Sequence, residues 1–514
     1  MTSLQDIQLF RSKLYSMFPS RRDAIMNLLD AISSYAHRCD SVVKLSEAKY
    51  FKRSYCSITD AIKAASKIEA DGWHKMMTLA FTHMQPTKIN RFVVDVTSNP
   101  RPYAKTLEDR VITHSPNPAP SNKPICVGHP YSVIVGLPDG VRAENKHWVK
   151  PLSAQRVKSD EKGHNIGMRQ LVELIDKLGQ SGKLNISFGD SLYGTPECRK
   201  TASEESNLVH IFRLRISRNI FLPATESSSG PGRKSEYGQK ISLSDPGTHT
   251  ACNEEAEWSW ENTQGKTYTA KIKLWKDMLI RGTKDFKSSE HPINALQIIV
   301  TNEDGNEVFK RPLWLAVFGE RRHEIEIKDA YSGYCSRYDI EHFFRFSKQK
   351  MLLDNHQTPE ITNEEAWWKL NMLAYSQLYQ GRELTQGMPY PWEKYLPSFK
   401  DQDENTIGTP AQTQRGFEKL LDQIGTPASP CKKRGNPQGR KAGTELVKRS
   451  KKPVIFKGSK KKSKENLIDS ASEKTVKNSE PDKINILAGS VAEMLKKLNF
   501  SPQEFLKILE EVKK

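Results

Sequence analysis

Apolar positions change their period several times along the chain, and each change marks an element. Leu4, Ile7, Phe10, Leu14 and Met17 recur at helical spacing, "PSRRD" interrupts them, and Ile25, Leu28, Leu29 and Ile32 resume the same period. A further helix is expected after Ser57 in "SITDAIKAASKIEA", so residues 1–88 read as a helical region. The character then changes. "RFVVDVTSNPRP" is an apolar, β-branched run that predicts a buried strand with its polar exit near Asp95. "YSVIVGLP" and "HWVKPLSA" predict two more strands, and "IGMRQLVELIDKLG" an amphipathic helix closed by glycine. "KLNISFGDSLYG" predicts a strand ending at Asp190, and "LVHIFRLR" another. The order is that of a mixed α/β sheet with flanking helices.

From 218 to 310 the pattern is a loop, "SSSGPGRKSEYGQ", followed by hairpin-like runs, the second turning at "NEDGN". This predicts a β-rich insertion between a first core segment, 89–217, and a final one, 311–355. The latter ends in one long helix, "YSGYCSRYDIEHFFRFSKQK". A C-terminal helical region, 356–400, follows, with a capping box from Thr362 to Glu365 and Trp367, Trp368, Leu370 and Leu373 along the helix. Residues 401–483 are rich in Gln, Pro, Gly, Ser and Lys and predict a basic disordered linker. In 484–514, "SPQEFLKILEEV" predicts a terminal amphipathic helix with Ser501 as N-cap, either self-associating or folding back on the body. No internal repeat is apparent.

Charge alters this picture in one place. The net +18 favours a polyanionic partner, but between Cys431 and Lys464 there are 14 lysines and arginines against Glu445 alone, so 14 minus 1, or +13, sits there. The expectation is a solvated tail that adds sequence-independent, salt-sensitive DNA affinity. Seven scattered cysteines without a CxxC pair argue against a disulfide framework or a zinc module. No apolar run is long enough to span a membrane, and "MTSLQDIQLFRSKLYSMF" lacks the continuous apolar core of a signal peptide, so the expected location is the cytoplasm.

Candidate chemistry lies in three acids. On the helix at 331–350, Tyr334, Arg337, Glu341 and Lys348 fall within a sector of roughly 60°, beside an apolar stripe of Ile340, Phe343 and Phe344. Two cations and a phenol suit phosphate oxygens, whereas an Arg337–Glu341 ion pair on a solvated face is the plainer reading. Asp95 and Asp190 stand at predicted strand ends, where an Asx turn or a helix N-cap would also explain them. Three carboxylates converging from separate elements are what two-metal phosphoryl transfer requires.

The spacing Y-x2-R-x3-E-x6-K, with Asp95 and Asp190 before it, resembles the YREK signature of the DDE transposases of bacterial insertion sequences. That branch has an RNase H-like core interrupted by a β-strand insertion domain, and the resemblance spans about residues 89–355. It implies that Asp95, Asp190 and Glu341 bind two Mg2+ ions, with Mn2+ able to substitute. Arg337 and Lys348 would hold DNA phosphates, and Tyr334 would add a contact. A tryptophan of the insertion, Trp258 or Trp260, would stack on a flipped base, although a same-face pair on a strand is more often packing. Tyr193 falls on the first turn after Asp190. The implied activity is cleavage at insertion-sequence ends and strand transfer, by a homodimer on double-stranded, nucleoid DNA. The alternatives are a nuclease that only hydrolyses DNA and a non-enzymatic DNA-binding protein derived from a transposase.

Overall fold

Four helices open the chain. Helix α1 (Leu4–Met17) starts in a capping box, the Ser3 hydroxyl accepting from the Asp6 N–H and the Asp6 carboxylate from the Ser3 N–H. Helices α2 (Arg22–Ser34), α3 (Cys56–Ala65) and α4 (Ala70–Thr82) follow. Ile7, Phe10 and Leu14 of α1 are buried at the predicted period. The computed structural model describes residues 3–35, 40–82, 89–114, 124–139, 146–180, 182–224, 236–262, 265–385, 407–432 and 448–456, with a few single positions between 386 and 447. Met1–Lys457 forms one compact unit, and a second, Gly458–Lys514, lies outside the described residues together with the predicted terminal helix.

Strands β1 (Ile89–Pro100), β2 (Val111–His114), β3 (Ile125–Gly136) and β4 (Lys150–Arg156) lead into helix α5 (Gly163–Leu178). Strand β5 (Leu184–Gly189), helix α6 (Pro196–Ala202) and strand β6 (Leu208–Leu214) come next. A hairpin, β7 (Asn219–Pro223) with β8 (Tyr237–Ser242), forms its own two-stranded sheet. Strands β9 (Glu254–Glu261), β10 (Thr267–Met278), β11 (Ile293–Asn302) and β12 (Leu313–Phe318) complete the β structure. The large sheet has ten strands in the order β2-β3-β1-β5-β6-β12-β11-β10-β9, with β4 also pairing β3. Strands β1, β5 and β6 are parallel, and the other pairings are antiparallel. This mixed α/β sheet is consistent with an RNase H-like core.

Alternation along the strands divides the interior in two. Phe92 and Val94 of β1 pack with Met168 and Leu171 of α5, whereas Val93 joins the opposite face with the N-terminal and C-terminal helices. That opposite face carries α7 (Ile327–Ser336), α8 (Asp339–Lys350), α9 (Ile361–Gly381) and α10 (Pro410–Ile424). Among the described residues no helix is long and apolar enough to cross a membrane.

Several expectations are corrected. Strand β1 does not end near Asp95, because β3 pairs with it through Pro100. The strands expected in the insertion continue the large sheet, since β12 pairs with both β6 and β11. The predicted single helix at 331–350 is two helices, broken at Arg337 and Tyr338. Thr362 does not cap α9: Glu360 is the N-cap without a side-chain bond, and the Thr358 hydroxyl accepts from the Glu360 N–H. Part of the predicted linker also folds, as α10 begins with a Thr409–Gln412 capping box and buries Phe417, Leu420 and Leu421 completely. The polar composition of the whole segment concealed a 15-residue amphipathic stretch.

Candidate active site

Register places the first two acids. Val93 of β1 pairs in parallel with Phe188 of β5, so two residues further on Asp95 and Asp190 come level where the strands part. Asp95 shares the parity of Val93 and therefore faces the side that carries α7 and α8. One oxygen of Asp95 accepts from the Val96 N–H at 2.8 Å. Asp190 follows β5 directly, and its Oδ1 accepts from the Leu192 N–H at 2.7 Å, an Asx turn. The helix N-cap role belongs to Thr195 instead.

The third acid comes from the broken helix. Gly333 seats α7 on the sheet: a Cβ there would lie 2.3 Å from Phe188 Cζ, so only a bare backbone approaches this closely. Four residues later Arg337 stands at the break, 7% exposed, with Nη1 3.9 Å from Asp95 Oδ2 and Nη2 3.6 Å from Glu341 Oε1. It therefore links a carboxylate of β1 to one of α8. Its guanidinium also lies 4.6 Å from the Tyr338 ring centroid and 5.6 Å from that of Tyr334. Burial opposes the Arg337 charge, but Tyr334, Asp95, Tyr338 and Glu341 together hold its pKa above the ordinary value.

Burial pushes Asp95 up to about 6, with Asp190 and Glu341 adding to the rise and Arg337 and the Val96 N–H working against it. A carboxyl poised there accepts a cation readily, because a nearby positive charge restores its ionised form. Glu341 is half exposed and lines a cleft of about 490 Å3 whose walls include Val96, Ser98, Ile112, His114 and Gly163. Gly163 opens α5, so the N-terminus of that helix borders the same cleft.

The remaining residues of the row do not share one exposed face. Tyr334 is 3% exposed, and burial pushes its pKa up to about 12. Its ring supports Arg337 and is not open to solvent. Lys348 donates from Nζ to Thr97 Oγ1 at 2.9 Å and to the Ser98 carbonyl at 2.7 Å, which fixes the part of β1 beyond Asp95. Trp258 and Trp260 share a face of β9, their rings 5.0 Å apart, and both pack on Tyr331 of α7. They lie on the sheet edge, joined to α7 but not to the carboxylates.

Tyr193, on the turn after Asp190, is 2% exposed. Its phenol is raised far above the ordinary value by burial, with Asp95 and Asp190 contributing. Tyr193 packs on α5, where a Cβ at Gly167 would lie 3.0 Å from its hydroxyl. The aromatic and the glycine are shaped to each other beneath the two aspartates.

Residues 13–279 match the family described as DDE superfamily endonuclease, more than half of the chain. The chain belongs to that family. Asp95 and Asp190 fall within the matched span, whereas Glu341 lies beyond it. No curated protein matches the chain. The DDE endonucleases act on DNA and generally use divalent metal ions. The donors here fit such ions in kind, being three carboxylates with no soft ligand among them. As they stand, no three Asp, Glu, His or Cys among the described residues are close enough to hold one ion together. Arg337 supplies the positive charge between Asp95 and Glu341.

Proposed function

We infer that this DDE-family chain is a DNA transposase of the YREK branch, which cuts at the ends of an insertion sequence and joins them to target DNA. One observation carries the reading: Asp95 and Asp190 are brought level by strand register, and Glu341 is linked to Asp95 through Arg337. An inert surface row would leave Arg337 exposed and paired within its own helix. Here the arginine is buried and reaches Asp95 of β1 as well as Glu341.

Asp95, Asp190 and Glu341 would hold Mg2+, two ions in all. Bound there, the metal supplies activation of an attacking oxygen and stabilisation of the leaving oxygen. The protein's own residues position the strand. Arg337, which lies between Asp95 and Glu341, would offer its guanidinium to a phosphate oxygen. Lys348 keeps Thr97 and Ser98 in place, so the cleft wall next to Asp95 stays rigid. Trp258 and Trp260 form an aromatic platform against which an unstacked base can lie. Two ends must be brought together, which implies a homodimer on double-stranded DNA in the nucleoid.

The test is a Mg2+-dependent cleavage and joining assay on the DNA that flanks the gene, with Glu341→Gln as control. Cleavage and joining by the wild type, both lost in the variant, support the transposase reading. Cleavage without joining identifies a hydrolytic nuclease, and binding without metal-dependent chemistry a DNA-binding protein.

A further inference from the structure

The longest described run of the basic stretch at 431–464 is Lys448–Phe456, and this run is attached to the core. The Lys452 N–H donates to the Lys105 carbonyl and the Ile455 N–H to the Arg110 carbonyl, each at 2.8 Å. Ile455 forms a parallel bridge with Val111 on the outer edge of β2. Arg110, only 3% exposed, holds the run from below: Nη1 donates to the carbonyls of Arg101 and Pro102, and Nη2 to that of Lys452. Two ion pairs flank the attachment, Lys452 with Glu108 at 2.8 Å and Arg449 with Glu360 at 2.7 Å. A buried guanidinium spent on the carbonyl of a tail residue marks a built socket, because an undocked tail would leave that donor unsatisfied.

We propose that this docked run is a DNA-contacting ridge, which takes the phosphate backbone of the duplex entering the cleft beside Glu341. Strand β2, to which the run is paired, supplies Val111, Ile112, Thr113 and His114 to that cleft. Docking brings the backbone of Lys452 against that of Lys105, and Lys105, Lys448 and Lys451 are exposed and, among the described residues, without an ion pair. Tyr103 on the same loop is 88% exposed and Phe456 60%, so aromatic surface stands among the cations. Phosphate oxygens answer both features, since lysines neutralise the backbone and release its counterions. The inference rests on the DNA-directed reading above and adds where the duplex lies.

The experiment measures binding of the full-length protein to a short random-sequence duplex, by fluorescence anisotropy over a range of salt concentrations. The triple variant K105Q/K448Q/K451Q is expected to lower the slope of log affinity against log salt by about 2 to 3, at roughly 0.9 per phosphate contact. Ile455→Pro keeps every charge but removes the N–H donated to Arg110, and it is expected to lose a similar part of the slope. Thermal melting of each variant checks that the fold is retained. An unchanged slope in the triple variant overturns the ridge, and an unchanged slope in Ile455→Pro overturns the docking. Cleavage is read separately. A chain that cuts DNA with an unchanged slope fails the ridge alone, and one that binds through the ridge but never cuts fails the transposase reading alone.

Discussion

Glu364→Gln tests what holds β1 and β3 beneath the helices. The carboxylate, on the first turn of α9, is fully buried and serves three partners. Arg101 Nε donates to it at 2.8 Å, His129 Nδ1 lies 2.7 Å away, and the Tyr131 hydroxyl donates at 2.9 Å. Arg101 follows β1, while His129 and Tyr131 belong to β3, so one side chain ties α9 to the strand pair that carries Asp95. Burial alone would raise the pKa of Glu364, but His129, Arg101 and Tyr131 together hold it at about 2, against an ordinary 4.5. That difference corresponds to about 3 kcal/mol of stability at neutral pH. Removing one partner of a buried ion pair costs about 3 to 5 kcal/mol by comparison, because Arg101 is left buried and uncompensated. Urea denaturation at neutral pH should therefore show the variant about 3 kcal/mol less stable. A carboxyl with a depressed pKa stabilises the fold only while ionised, so the gap should persist above about pH 4.5 and shrink as pH falls toward about 2. A variant as stable as the wild type at neutral pH, or a gap indifferent to acid, would refute the reasoning.

Two further predictions concern the site. Asp95 has a raised pKa, so its charge destabilises the metal-free fold at neutral pH; Asp95→Asn should resist urea better than the wild type in chelator, with the difference closing below about pH 4. Addition of Mg2+ should stabilise the wild type and not the variant. Lys348→Met leaves the Ser98 carbonyl without its donor and should cost about 1 to 3 kcal/mol in denaturation, with DNA cleavage reduced more than DNA binding.

Elements with a strong local period were legible in the sequence, and so was the order of the three acids along it. Ile7, Phe10 and Leu14, or Met168, Leu171 and Ile175, announce helix faces that the fold does bury. Features that depend on a partner were not legible. Strand β1 runs past Asp95 only because β3 follows it to Pro100. Helix α10 was hidden because polar residues on both sides diluted Phe417, Leu420 and Leu421. The docked tail was obscured in the same way, since Val454, Ile455 and Phe456 are a short β-branched and aromatic run inside a lysine-rich stretch. Composition averaged over a long window removes such signals, and a socket such as Arg110 is visible only in three dimensions.

The break between α7 and α8 explains why a row drawn on one regular helix does not survive. Around Arg337 the chain switches to shorter-range bonding: the Arg337 N–H donates to the Tyr334 carbonyl, that of Ile340 to Arg337 and that of Glu341 to Tyr338. A 3-10 turn has about 3.0 residues, so each residue turns about 120° where an α-helix turns about 100°. Tyr334 lies in the core under the arginine, while Glu341 lines the cleft and Lys348 reaches the far half of β1. Arg337, at the joint, is left facing both Asp95 and Glu341. The spacing of the four residues thus encodes a bent support in which each group reaches a different neighbour, and the tightened turn is what lets one arginine span two carboxylates from separate elements.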